Sequence, residues 1–172
     1  LALLALGHHL EGSEADYAEA QRAYAEGLAL AERVDDVPAQ IDLAAGLAWL
    51  SVYRADWKEL DRWIARYADL GDREDLSGRL ALPLVLRGIA RWREGDWAEA
   101  EALHRRAHEL AAQAGWSEDA YYALYGLAAT MRDRGDYAGA AGALDRAIDG
   151  CERAGLLGRA IQARAARAVN ER

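Results

Sequence analysis

His104 and His108 stand four residues apart. That spacing puts two imidazoles on one helix face, where they could share a metal ion. No Glu-Xaa-Xaa-His and no third ligand accompanies them, so the sequence favours packing for both. His8 and His9 are adjacent and leave a helix from different faces. Cys151 is the single cysteine and has no histidine near it in sequence to act as a base, so it reads as a small interface residue. The charges of Glu99, Glu101, Arg105 and Arg106 read as a solvated face. There is no phosphate-binding glycine loop, no Gly-Xaa-Ser-Xaa-Gly and no paired-cysteine zinc motif. No catalytic constellation, metal site or cofactor is therefore expected, and the chain reads as a non-enzyme.

The elements that carry these residues repeat. Tyr17, Trp57, Trp97 and Tyr137 each follow an aspartate (Asp16, Asp56, Asp96, Asp136) and recur every 40 residues. The chain divides into blocks 1–40, 41–80, 81–120 and 121–160, with a terminal helix over 161–172. A fixed period of this length points to a stacked array, here a single domain. Each block reads as two helices. In the third, Trp97, Ala100, Leu103, Ala107, Leu110 and Ala111 are spaced three and four apart and predict a helix from about Trp97 to Ala114. The aspartate of each block is placed to cap that second helix. Gly95 and Gly135 can take the left-handed conformation that ends the first. Gly115 and Gly155 fit helix ends, while Asp36 and Ser117 fit helix starts. Ser77 should open a helix by analogy, which puts Pro83 in its interior and predicts a late start or a kink. Two antiparallel helices leave a wedge at their junction. The aromatic at the start of the second is expected to fill it, with Ala20, Ala100 and Ala140 letting the helices approach. A ring fully buried there would cost about 3–5 kcal/mol on truncation to Ala.

Composition agrees with an all-α fold. The chain has 172 residues, 52% of them hydrophobic, with two prolines and no phenylalanine. Its formal charge is −8, and it has no basic run, so direct nucleic-acid binding is not expected. No apolar stretch reaches the roughly 18 residues that span a bilayer. A lone cysteine fits a reducing compartment, and the expected location is cytoplasmic. The first residue is Leu, already in an apolar run without a cap, which suggests a fragment of a larger protein. Uncapped ends also leave self-association through Leu1, Leu3 and Leu4 open.

The phrase from Gly88 through Gly95 and Trp97 to Ala100, followed by Ala107, resembles a tetratricopeptide repeat (TPR). Gly135, Tyr137, Ala140 and Ala147 repeat it in the fourth block. The period of 40 exceeds the family's 34, the closing proline is missing, and no aromatic stands early in the first helix. His104 falls where the family places a core aromatic. The resemblance implies a right-handed superhelical α-solenoid of about four helix pairs plus a final helix. Repeats this long are similar to those of large bacterial multidomain transcriptional regulators, where the array follows an ATP-binding switch domain.

The resemblance also implies a binding face, because the first helices of TPR arrays line the concave side. Carried onto this chain, the inward positions are His9 in the first block and Asp42, Trp49, Val52 and Tyr53 in the second. In the third they are Leu82, Val85, Ile89, Trp92 and Arg93, and in the fourth Tyr122, Tyr125, Arg132 and Asp133. Aromatics with a few charges make binding anchors. The family's carboxylate clamp needs Lys and Asn that these positions lack. The expected role is a non-catalytic scaffold for a protein or peptide partner, as the interaction or sensor module of a larger regulator. The alternatives are sensing of a small-molecule effector and self-association.

Overall fold

The computed structural model describes residues 14–73, 81–115 and 117–170. Among the described residues every regular element is an α-helix and none is a strand. The chain divides near residue 77 into two compact units. The first unit holds α1 (Glu14–Arg33), α2 (Val37–Tyr53) and α3 (Trp57–Arg73). The second holds α4 (Ala81–Glu94), α5 (Trp97–Ala114), α6 (Ser117–Asp133), α7 (Tyr137–Arg153) and α8 (Leu157–Asn170). The observed α5 has the bounds that its apolar spacing predicts. No helix of the described residues is long and apolar enough to cross a membrane.

The turns explain why the helices stop and start where they do. Gly95 and Gly135 take φ of 84° and 85°, the left-handed conformation that turns the chain out of a helix. The aspartate after each then acts twice. Its backbone N–H reaches back to close the helix behind it, Asp96 to Arg91 O and Asp136 to Met131 O, both at 2.9 Å. Its carboxylate opens the helix ahead, accepting from Glu99 N at 3.2 Å and from Gly139 N at 2.8 Å. Asp56 and Asp36 do the same with Glu59 N and Ala39 N. In α1 the helix already runs from Glu14, so Asp16 lies inside it rather than before it. Pro83 falls in the first described turn of α4, and the helix start expected at Ser77 lies outside the described residues.

Ala20, Ala100 and Ala140 are fully buried, as close helix approach requires. The aromatics three residues earlier do not fill a sealed wedge. Trp97 remains 40% exposed and Tyr137 58% exposed, while Tyr17 and Trp57 are half-buried. The helices meet at the alanines one turn further on, and the rings at the helix starts keep much of their surface in water.

In the first unit the core joins Ala20, Tyr24 and Leu28 of α1 to Leu43, Leu47 and Leu50 of α2. In the second, Tyr121, Leu124, Leu127 and Met131 of α6 pack on Leu144 and Cys151 of α7 and on Ala160 and Ala163 of α8. His104 is completely buried at the meeting of α4, α5 and α6. A Cβ on Gly88 or on Gly126 would come 2.6 or 2.4 Å from its ring, so glycine is what lets the imidazole fit between them. Tyr24, at the same place in the first block, lies against Gly46 in the same way. Within the second unit α4 touches α6 and α6 touches α8, whereas α5 and α7 do not touch among the described residues.

Candidate functional site

The row of first helices in the second unit gathers four of the expected groove residues around one cleft. Trp92 comes from the last turn of α4, Tyr125 from the middle of α6, and Arg132 and Asp133 from its end. Trp92 Nε1 donates to Asp133 Oδ2 at 2.8 Å. Asp133 Oδ1 accepts from Arg132 Nε and from one of its terminal nitrogens, both at 3.1 Å. These residues stand at a cleft of about 180 Å³ whose lining includes Trp92, Tyr125 and Arg132 together with Leu144, Ala166 and Asn170. Tyr125 is 39% exposed and Trp92 half-buried, so each ring offers surface to a ligand while its other side is held. Asn170 donates Nδ2 to the Tyr137 carbonyl at 2.8 Å, and its Oδ1 is buried without a hydrogen-bond partner.

Toward the start of α6 the face changes character. The Arg159 guanidinium lies over the Tyr122 ring at 4.9 Å and over Tyr121 at 5.6 Å. It also pairs with Glu118 at 3.0 Å and donates to the Tyr122 hydroxyl. Tyr121 donates to Gln162 Oε1 at 3.1 Å, and burial pushes its hydroxyl pKa upward. Tyr122 is thus half-buried and tied to α8. Tyr121 links the two ends of the face, with its ring 5.2 Å from Tyr122 and 5.7 Å from Tyr125.

The first unit carries a separate aromatic stripe on α2. Asp42, Trp49 and Tyr53 are seven and four residues apart, on one side of the helix. The Trp49 and Tyr53 rings stack at 6.0 Å, and Tyr53 stacks on Tyr17 at 6.1 Å and 16°. Tyr53 keeps 43% of its surface exposed.

Other expected groove residues sit elsewhere. Val52, Leu82 and Val85 are core residues, not groove residues. Val85 is closed in by Ala107 and Ala123, and Ile89 packs on the same cluster. Arg93 is exposed on the last turn of α4. His9, Leu1, Leu3 and Leu4 lie outside the described residues. Sequence reading missed Arg159 and Asn170. Both come from α8, whose facing positions were not carried over from the family pattern, although its register is that of the other first helices.

His104 and His108 do not form a site together. His104 is sealed in the core with both ring nitrogens unpaired, and burial pushes its pKa down to about 4. Cys151 is buried, and burial pushes its thiol pKa up. Among the described residues no group of three or more His, Cys, Asp or Glu side chains is arranged to hold a metal ion. No protein-family model matches the chain, and no curated protein matches it.

Proposed function

We propose that this chain is a non-catalytic, TPR-like binding module that takes an extended peptide or a segment of a partner protein on its first-helix face. The observation that carries the reading is the convergence of Trp92, Tyr125 and Arg132 on one cleft, with Asp133 holding the Trp92 indole. Flat aromatic surface beside a guanidinium is what binding anchors are made of. Arg132, exposed at the cleft, offers donors to a backbone carbonyl.

A right-handed solenoid of four helix pairs and a final helix is part of the proposal. Its support is the 40-residue period and the contacts of the second unit. There the first helices touch one another and the second helices stand apart, as on a curve with the first helices inside. In this reading the chain is one repeat domain, the interaction or sensor module of a larger bacterial regulator in the cytoplasm. Its charge of −8 favours a protein partner over nucleic acid.

The test is capture of partners on the intact chain beside a Trp92→Ala/Tyr125→Ala variant shown to be folded by circular dichroism. The captured protein is then identified and titrated in pure form. A partner that binds the first and is lost by the second supports the reading. Equal binding by both removes this cleft as the site.

A further inference from the structure

The repeat offers an internal control, because α1, α2 and α3 correspond to α5, α6 and α7 at a spacing of 80 residues. In each unit two second helices flank a trough over the start of the first helix between them. In the first unit Tyr67 and Leu70 of α3, both large, are buried. Arg66 pairs with Glu32 at 3.0 Å and with Asp69 at 3.6 Å, and donates to Gln40 Oε1 at 3.4 Å. Gln40 in turn donates to the Ala31 carbonyl at 3.4 Å.

The second unit keeps the arginine and the aspartate three residues on, and removes the groups that meet the arginine from the other two helices. Arg66 corresponds to Arg146, but Glu32 becomes Ala112, Gln40 becomes Ala120, Tyr67 becomes Ala147 and Leu70 becomes Gly150. The opposite replacements, Ile41 by Tyr121, Ala44 by Leu124 and Gly71 by Cys151, restore only part of the lost volume. What remains is a cleft of about 500 Å³ with Arg146 in its wall, within the size range of small-molecule sites. A Cβ on Gly150 would meet nothing within 4 Å. Arg146 makes no ion pair or hydrogen bond among the described residues. Its neighbours along α7 are Asp149 and Arg153, which also line the cleft, so α7 presents two cations and one carboxylate. His108 lines it from α5 and has a buried Nδ1 without a hydrogen-bond partner. Beneath them Ala111, Ala147, Cys151 and Leu124 are buried and apolar.

We propose that this cleft, on the second-helix side of α6, is a binding site for a small organic monoanion. An apolar body lies over Ala111, Ala147 and Cys151, and one anionic oxygen group pairs with Arg146 in place of the glutamate and glutamine that hold Arg66. The net single positive charge of the α7 wall selects one negative charge. The absence of a protein partner for Arg146 leaves its donors to the ligand. This site is independent of the Trp92–Tyr125 cleft and goes beyond the partner-binding reading.

The test is a fluorescence titration with anilinonaphthalene sulfonate beside phenylnaphthylamine, the same ring system without the sulfonate. The wild-type chain should bind the sulfonate saturably, one per chain. Arg146→Ala should weaken it by about tenfold or more, the loss expected for a charge-assisted hydrogen bond, with little change for the neutral probe. Ala112→Glu/Ala120→Gln, which restores the partners of Arg66, should weaken it similarly while the melting temperature holds or rises. Gly150→Leu, which restores the large residue of the first unit, should exclude both probes. Trp92→Ala/Tyr125→Ala should leave sulfonate binding unchanged. Absence of saturable binding overturns the proposal. So does binding indifferent to both the Arg146 and the Ala112/Ala120 variants, or binding lost with Trp92 and Tyr125.

Discussion

The indole of Trp92 is held by the carboxylate of Asp133, N to O at 2.8 Å, so the end of α4 is tied to the end of α6. The bond fixes the ring that the proposed partner would meet. Asp133→Ala should free it at a stability cost of about 0.5–1.5 kcal/mol, the net worth of one hydrogen bond. The Trp92 indole N–H resonance should shift and exchange faster with solvent. An unchanged resonance would show that the ring is held by packing alone.

His104 makes the second unit acid-sensitive. Burial lowers its pKa from 6.5 to about 4, so the unfolded chain takes the proton more readily than the folded one. The stability due to the neutral ring is complete above about pH 6.5 and is lost as pH falls toward 4, roughly 3 kcal/mol across that window. His104→Phe removes that loss together with two unpaired buried nitrogens, and should stabilise the chain by about 1–3 kcal/mol at pH 7. Urea unfolding of both proteins at pH 7 and 4.5 measures the difference. An identical acid loss in the variant would assign it to other groups.

Two helical glycines should respond to alanine in opposite directions. At Gly126 the new Cβ would stand 2.4 Å from the His104 ring, which Gly88 blocks from retreating. Gly126→Ala should therefore cost about 1–3 kcal/mol. At Gly142 nothing lies within 4 Å, and Gly142→Ala should gain about 0.5–1 kcal/mol from helix propensity. Thermal unfolding of the pair decides it, and equal shifts would contradict the packing described for His104.

Ala55 occupies the turn position held elsewhere by Gly95 and Gly135, and it does so at φ 54°. An L-residue is strained there by roughly 1 kcal/mol or more. Ala55→Gly should raise stability by about 0.5–1 kcal/mol, read as a higher midpoint in urea. A lower midpoint would mean that the turn is not strained.

Much of the fold was legible because its signals are local. Trp97 to Ala114 could be bounded from apolar spacing, and Asp56, Asp96 and Asp136 could be read as caps, since a cap needs only its own next turn. The aromatics misled because a period says that a residue has a repeated place, not how deep the place is. Trp97 at 40% exposure should lose less on truncation than a sealed ring. The family's inward pattern found Trp92, Tyr125 and Arg132. It also enrolled Val52, Leu82 and Val85, which the neighbouring helices bury. The cleft beside Arg146 was out of reach for another reason. It is made of absences, at Ala112, Ala120, Ala147 and Gly150, and these small residues mean nothing until three helices bring them together.

The glycines around His104 also bear on how the blocks could be rearranged. Tyr24 meets Gly46 and His104 meets Gly126, while Leu144 shares its core cluster with Ala166. Each of the two rings is seated against a glycine of the next block, where a Cβ would come within 3 Å of it. A chain spliced with its blocks in another order would set a ring against Ala166, or Leu144 against a glycine, producing a clash in one case and a void in the other. The blocks are therefore not freely interchangeable: a block whose first helix carries Gly46 or Gly126 must follow one that carries a ring.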